Sequence, residues 1–515
     1  MNPVFGNFNF PISRIPDYPI NINHMKVTTL GDLKKTGYVS KTIKDELRDN
    51  LIMNIKAGET IFKGILGYED TVIPDLERAI LSRHNINLLG LRGQAKTRIA
   101  RQMTELLDEW IPVIKGSELN EDPLNPITRY AKELIEELSD KTPIEWMHRS
   151  ERYAEKLATP DVSVADLIGD VDPIKAANLK LSYADDRVIH FGIIPRSNRC
   201  IFVINELPDL QARIQVALFN ILQEGDIQIR GFKVRIPLDL EFIFTANPED
   251  YTNRGSIVTP LKDRIGSQIL THYPKTVALS RQITQQEARL TTSQRQSITI
   301  GNILADLIEQ VAFEARQSEY VDAKSGVSAR LTISAYENLA STAERRMMIN
   351  NEERTIARIG DLWGVVPAIN GKIELVYEGE QEGAAMVAQH LIGKAIRSYF
   401  IQFFPDPSKL KKKKTPSPYQ PVLDWFAGND ALDMLLSADE FVYRQSLDSV
   451  DGLSKLVDTY MPGIDATERH TAMEFVLHSL AEHSQIGKAM LERSVQFKDL
   501  FGSMFSSSEI DGEEV

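Results

Sequence analysis

Residues 90–97 have the sequence GLRGQAKT and lie between a predicted buried strand ending at Asn87-Leu88-Leu89 and a predicted helix. The helix is predicted over Thr97 to Trp110 because apolar residues recur there at helical spacing, at Ile99, Met103, Leu106 and Leu107. A strand, a glycine-rich turn and a helix start are what a phosphate-binding loop requires. Its backbone N–H groups point inward, and the helix N-terminus attracts anions.

The same stretch matches the P-loop pattern G-x-x-x-x-G-K-[ST] at Gly90, Lys96 and Thr97. Ala95 replaces the last glycine of the pattern. Alanine is the least disruptive substitute, although it tolerates fewer backbone angles than glycine. We therefore predict a nucleotide-binding loop made of Gly90, Leu91, Arg92, Gly93, Gln94, Ala95, Lys96 and Thr97.

Composition excludes several classes of protein. The 515-residue chain is long enough for two to four domains, and its net charge of -13 argues against a broad nucleic-acid-binding face. Its one cysteine, Cys200, lies in an apolar run, so we expect a buried inert thiol and neither disulfides nor a thiolate metal site. No apolar run approaches the roughly 20 residues of a membrane span, and the N-terminus does not resemble a signal peptide. A cytoplasmic protein that does not enter the membrane is the expectation.

Strands that alternate with helices predict an α/β core with a parallel sheet. The predicted strands are 187–194, 200–204 and 240–245, with a hairpin at 227–236 around Gly231 and a strand pair near 371–378. The predicted helices are 43–57 ending at Gly58, 73–82, 129–138, 151–157, and one ending at Gly225 with Leu210, Ile214, Leu218 and Ile221 on its apolar face.

Shifts in composition predict six segments along the chain. They are a flexible N-terminal arm (1–24), an α/β nucleotide-binding core (25–274) with an insertion at about 113–195, a helical lid domain (275–404), a Pro/Lys-rich linker (405–421), a C-terminal helical domain (422–502) and a disordered acidic tail (503–515).

A second element of nucleotide chemistry follows the apolar run 201–204, which ends in Asn205-Glu206. A carboxylate at the tip of a buried strand can accept a proton from an attacking water or orient that water, which favours Glu206 as a catalytic residue. Asn205 supplies an oxygen without charge, so it would hold a metal-bound water only weakly. The alternative is that Glu206 caps the following helix, where negative charge is also favourable.

Three further polar residues follow in order. Asn247, at the end of the strand 240–245, is positioned to hydrogen-bond a lytic water and a γ-phosphate, although Asn-Pro is also a common turn signal. Arg264 is a candidate arginine finger that reaches a neighbour's γ-phosphate, with a surface pair to Asp263 as the alternative and Arg254 as a weaker competitor. Arg330 begins a helix, so it is either a γ-phosphate sensor in the lid or an ordinary surface arginine.

Taken together, these elements resemble the AAA+ ATPases of the MoxR and magnesium-chelatase ATPase-subunit type. GLRGQAKT is similar to that group's GxxGxAK[ST] loop, and Asn247-Pro248-Glu249 is similar to its Asn-Pro-Glu segment. Residues 261–265 resemble the family's Leu-x-Asp-Arg-Phe segment, and residues 326–330 resemble its Gly-x-Ser-x-Arg segment. Residues 170–173, together with the predicted strand at 188, resemble the hairpin that is inserted in this family. The resemblance covers about 60 to 400, and it differs at Asn205, where the family has an aspartate.

The resemblance implies an AAA+ P-loop core, a helical lid, and a ring, expected to be a hexamer, that binds ATP and Mg²⁺ between subunits. Thr97 would bind Mg²⁺, with Asn205 acting through a water. Glu206 would activate water, Asn247 would position it, and Arg264 and Arg330 would stabilise charge. The family also implies remodelling of a partner protein, often one with a von Willebrand A domain, and in a narrower branch metal insertion into a porphyrin.

Two alternatives remain open. Asn205 favours an ATP-binding regulatory scaffold that hydrolyses little. Arg230, Lys233 and Arg235 in the predicted hairpin favour a nucleic-acid motor, which the acidic net charge makes a weaker hypothesis. An enhancer-type transcription activator is weaker still, because no GAFTGA-like loop occurs.

Overall fold

A computed structural model describes residues 26–181, 185–228, 235–248, 256–410, 417–429 and 431–500. The predicted N-terminal arm, the acidic tail, Gly231, Glu249 and the competitor Arg254 lie outside these ranges, as do Arg230 and Lys233. Among the described residues, no helix is both long enough and apolar enough to cross a membrane.

A five-stranded parallel sheet forms the centre of the N-terminal half. Its strands are β1 (Ile86–Leu89), β2 (Tyr153–Leu157), β3 (Cys200–Asn205), β4 (Leu240–Ala246) and β5 (Ser267–Leu270), in the spatial order β5-β1-β4-β3-β2. Every pair of neighbours is parallel, and Leu89 lies opposite both Ala246 and Leu270. The predicted α/β fold class with a parallel sheet is therefore confirmed, and the carboxyl ends of the strands meet along one edge.

Helices cover both faces of this sheet. The N-terminal half contains Leu30–Lys35, Ile43–Ala57, Val72–Leu81, Lys96–Gln102, Arg129–Leu138, Val164–Leu167, Pro173–Leu179, Ile193–Arg196, Ala212–Ala217, Phe219–Glu224 and Thr259–Arg264. Antiparallel strand pairs join Trp110–Ile114 with Ile144–His148, Gly169–Val171 with Ile189–Phe191, and Asp226–Gln228 with Arg235–Pro237. The helices predicted at 43–57, 73–82 and 129–138, and the helical turns ending at Gly225, are confirmed.

Three predictions in this half are wrong. The segment 151–157 was expected to be helical, but Tyr153–Leu157 is edge strand β2, because pairing with Ile201–Asn205 outweighs the helix propensity of YAEKL. The helix after the loop ends at Gln102, followed by a 3-10 turn at Met103–Leu106 and a strand from Trp110. The strand expected over 187–194 is only Ile189–Phe191.

The C-terminal half is built mainly from helices. They are Val277–Glu287, Thr292–Ser297, Asn302–Gln317, Arg330–Ile349, Val366–Asn370, Tyr377–Glu382, Ala384–Phe400, Pro407–Leu410, Gln420–Gly428, Glu440–Asp448, Leu453–Tyr460 and Arg469–Glu482. Short parallel strands pair Ile298–Thr299 with Thr355–Ile356. The strand pair predicted near 371–378 is wrong, since that region contributes only an isolated bridge between Val321 and Leu375.

Segment 422–502 was predicted to be helical, but it also contains a three-stranded antiparallel sheet. Its strands are Leu432–Leu435, Gly487–Met490 and Ser494–Lys498. One hydrophobic cluster extends from Ile298 to Phe497, so the lid and the C-terminal segment share a core. Within the predicted linker, Tyr419 is buried against Phe400. The linker therefore does not separate two cores.

Buried charges lie at the opposite, amino-terminal edge of the central sheet. Arg152 makes two hydrogen bonds to Glu46, of 2.6 and 2.7 Å, which anchor the helix Ile43–Ala57 beside the sheet. Lys44 Nζ lies 3.8 Å from Glu241 Oε2 in β4. Burial raises the pKa of Glu241 to about 8, so this carboxyl is mostly protonated at neutral pH.

Candidate nucleotide-binding site

A cavity of about 730 Å³ lies at the carboxyl edge of the sheet, where the core meets the lid. Its walls come from the loop 92–98, the tips of β2, β3 and β4, and the first turn of the helix Arg330–Ile349. The volume is within the range of sites that hold small organic ligands. The sequence-predicted residues from four separate segments therefore converge on one cavity.

The loop after β1 has the backbone that a phosphate cradle needs. Gly93 and Ala95 both have positive φ, of 73° and 58°, and the helix begins at Lys96. Ala95 therefore occupies the left-handed conformation that glycine would adopt without strain, at an energetic cost of about 1 kcal/mol. At Gly90, a Cβ atom would lie 2.0 Å from Thr271 Oγ1, so no side chain fits there.

A chain of hydrogen bonds links three of the predicted residues. Lys96 Nζ donates to Asn247 Oδ1 at 2.6 Å, and Asn247 Nδ2 donates to Glu206 Oε2 at 2.6 Å. Lys96 also donates to the carbonyls of Gly90 and Leu91, and it is only 8% exposed. Asn247 thus links the lysine to the carboxylate. Lys96 begins the helix after β1, Asn247 directly follows β4 and Glu206 directly follows β3.

Glu206 itself lies just beyond β3 with a φ of 55°. Its backbone N–H donates to Thr245 Oγ1, and Thr245 Oγ1 donates to Asn205 Oδ1 at 3.1 Å. Glu206 is the cap of the 3-10 turn Leu207–Asp209, but its side chain makes no capping hydrogen bond. The Glu206 carboxylate is therefore held by its hydrogen bond with Asn247 and does not cap the following turn.

The oxygen donors of the cavity fit a magnesium ion. Thr97, Asn205, Glu206 and Asp209 all line it, and hydroxyl, amide and carboxylate oxygens are ligands that Mg²⁺ accepts. Within the described part of the chain, no group of three or more His, Cys, Asp or Glu side chains is arranged to hold a metal by itself. A metal here would depend on phosphate oxygens and water for its remaining ligands.

The two predicted arginines lie in different places. Arg330 is exposed and lines the cavity from the lid. Arg264 is not among the cavity-lining residues. Its guanidinium donates to Gln223 Oε1 at 2.7 Å and to the Pro260 carbonyl at 2.8 Å, and it lies 5.0 Å above the Phe219 ring. The contacts with Gln223, Pro260 and Phe219 therefore hold Arg264 in place. They differ from the surface pair with Asp263 that was the alternative expected from the sequence.

Several residues in or beside the cavity were missed by sequence reasoning. Tyr68 donates to the carbonyls of Gln94 and His272, at 3.1 and 2.8 Å, and its ring contacts His272 edge-on. Thr271 donates to Gln94 Oε1 at 2.6 Å, and Asp209 adds a second carboxylate to the wall. None of these lies in a motif. The one available signal was that Thr271 and His272 directly follow a strand of the parallel sheet.

No protein-family model matches the chain, and no curated protein matches it. Similar solved structures include a candidate ATPase from Cytophaga hutchinsonii, at 17% identity and a TM-score of 0.28, over 68% of this chain and 95% of that chain. A model of the BchI–BchD complex of magnesium chelatase is 18% identical with a TM-score of 0.32, over 62% of this chain and 98% of that chain. A mutant of RuvB from Thermotoga maritima is 11% identical with a TM-score of 0.33, over 87% of this chain and 97% of that chain.

Proposed function

We propose that this protein is an AAA+ ATPase of the MoxR and magnesium-chelatase type, which binds and hydrolyses ATP at the cavity described above. The observation that carries the proposal is the contact chain Lys96–Asn247–Glu206 beside a loop with phosphate-cradle geometry. Two 2.6 Å hydrogen bonds join a cation suited to phosphates, an amide and a carboxylate, each located beyond the carboxyl end of a different strand of the sheet. A purely structural cluster would not need to line a cavity of about 730 Å³.

The residues take distinct roles in hydrolysis. The backbone of the loop and Lys96 bind the phosphates, and Lys96 exchanges Asn247 for phosphate oxygens when nucleotide enters. Glu206 orients the attacking water and accepts its proton, while Asn247 holds that water and the carboxylate in register. Arg330 contributes positive charge from the lid. Thr97, and Asn205 through a water, would hold Mg²⁺, which would neutralise phosphate charge when bound.

The position of Arg264 supports a ring in which neighbouring subunits share sites. Arg264 lies outside its own chain's cavity but is held in a defined surface position by Gln223 and Phe219. An arginine finger that acts on a neighbouring subunit must lie outside the cavity of its own chain and be held at the surface in a defined position. We propose a closed ring, with a hexamer as the expected form, that remodels a partner protein such as one with a von Willebrand A domain.

The decisive experiment measures ATP binding and turnover on purified protein. Calorimetric titration should show ATP binding in the wild type and none in Lys96→Ala, and phosphate release per subunit should rise with protein concentration because the site is shared. Binding without turnover would favour the regulatory scaffold that Asn205 suggests. A monomer that hydrolyses ATP independently of dilution would contradict the ring.

A nucleic-acid motor has less support. Of the three basic residues in the predicted hairpin, only Arg235 lies within the described ranges, and its guanidinium lies 3.5 Å from Asp226. A salt-dependent mobility shift with DNA or RNA would be needed to support a nucleic-acid motor.

A further inference from the structure

Arg92, at a variable position of the phosphate loop, forms an ion pair with the lid. Its guanidinium lies 2.6 Å from Glu374 Oε1, although the two residues are 282 positions apart in the chain. The carbonyl of Arg92 accepts a 2.9 Å hydrogen bond from Tyr273. Arg92 also lines the nucleotide cavity. A cationic side chain at the phosphate site is therefore held by a carboxylate of another domain.

The lid holds Glu374 in a fixed place. The Glu374 carbonyl accepts a 2.9 Å hydrogen bond from the Asp322 N–H, and the neighbouring Leu375 forms a bridge with Val321. Ser325 donates to the second carboxylate oxygen. Both the backbone and the side chain of Glu374 are therefore anchored in the lid.

The lid also packs against the outer side of the loop. A Cβ atom on Gly93 would lie 2.0 Å from Ser328 Oγ, and one on Gly326 would lie 2.7 Å from the Leu91 side chain. Loop and lid are therefore in direct contact at consecutive positions, with no space between them for solvent at those points. Changes in the conformation of the loop at these positions are therefore constrained by the lid.

We propose that Arg92 is an additional phosphate-binding residue, and that Glu374 and the phosphates of a nucleoside triphosphate compete for its guanidinium. This inference rests on the proposed ATP site. An arginine guanidinium donates to carboxylate and to phosphate oxygens alike, so the two ligands compete for one side chain. Binding of the triphosphate then releases the lid segment 372–376 from the loop.

The exposure of the pair sets the size of the effect. The side chains of Arg92 and Glu374 are 44% and 52% exposed, so water screens their attraction and phosphate can displace it. Removing the competing carboxylate in Glu374→Gln should therefore tighten ATP binding by about two- to fivefold. Arg92→Gln should weaken ATP binding, and the double variant should bind like Arg92→Gln alone.

The test compares dissociation constants of a non-hydrolysable ATP analogue, ADP and adenosine for these variants of the full chain. The gain in Glu374→Gln should be largest for the triphosphate and absent for adenosine, which carries no phosphate. Glu378→Gln is the matched control, because it removes the same charge from an exposed lid position four residues away.

The outcomes separate this inference from the proposed function. If the wild type binds no nucleotide, both are overturned. If the wild type binds and Lys96→Ala does not, but Glu374→Gln binds with unchanged or weaker affinity, the ATP site stands and the competition is refuted. An equal gain for adenosine, or in Glu378→Gln, would also refute it, because the effect would then not involve phosphate or Arg92.

Discussion

Replacing Glu206 by glutamine tests the proposed chemistry with the smallest change of shape. Glu206 Oε2 accepts a 2.6 Å hydrogen bond from Asn247, and the amide oxygen of glutamine can accept the same bond. The substitution removes the carboxylate that accepts a proton from water, and a general base contributes about 10²–10⁴-fold to a rate. We expect turnover to fall by at least about 10²-fold, equivalent to about 2.7 kcal/mol of activation free energy, while ATP binding is retained.

The assay measures steady-state phosphate release together with the dissociation constant for ATP and the melting temperature. Asp209→Asn is the matched control, since it removes one carboxylate from the same cavity wall three residues further along the chain. Turnover in Glu206→Gln within about threefold of the wild type would place the base elsewhere. An equal loss in Asp209→Asn would show that the effect is not specific to the position of Glu206.

Four other substitutions test the remaining parts of the model. Lys96→Ala should abolish ATP binding in a calorimetric titration while leaving the circular dichroism spectrum unchanged, and an unchanged affinity would reject the phosphate loop. Asn205→Asp should leave phosphate release equal or raise it, because it adds a carboxylate near the metal, and a severe loss would mean that the amide is required. Arg264→Ala should bind ATP but lose turnover. Mixing it with Glu206→Gln protein should restore part of the activity, because some interfaces then pair an intact Glu206 with an intact Arg264. No recovery at any mixing ratio would contradict a shared site. Glu241→Gln should stabilise the fold relative to the wild type, by an amount that grows as the pH rises from about 5 to 8. The wild-type carboxyl has a pKa of about 8 in the folded chain and an ordinary pKa of 4.5, so its contribution to stability is full only below pH 4.5 and is lost as the pH rises through 8. Chemical denaturation at pH 5 and pH 8.5 that gives the same difference would contradict that pKa.

The candidate site was predictable because its residues follow local rules. A glycine-rich turn between strand and helix, and polar residues after buried strands, are visible in the sequence without any knowledge of packing. Parallel pairing then brings the ends of β1, β3 and β4 to one edge, which is why Lys96, Glu206 and Asn247 meet. The roles assigned to these residues remain predictions until turnover is measured.

The errors lie where tertiary contacts outweigh local preference. Tyr153–Leu157 has residues that favour a helix, and only its pairing with β3 makes it a strand. In the C-terminal segment, Leu432–Leu435 and Ser494–Lys498 are about 60 residues apart, and such long-range antiparallel pairing leaves no periodic signal within a short window. Sequence reasoning also left β2 out of the central sheet for this reason.

The contact between Arg92 and Glu374 shows what a motif leaves undetermined. The fixed positions of the pattern, Gly90, Lys96 and Thr97, determine that a phosphate can bind, and they are set by the geometry of a strand, turn and helix. The variable positions between them are free to contact whatever the fold places outside the loop. Here they contact the lid and Tyr273, and Arg92 pairs with a residue 282 positions away. The proposed phosphate binding and the contacts of the loop with the lid therefore lie in the same eight residues. A recognisable pattern predicts the first, and only the folded chain defines the second.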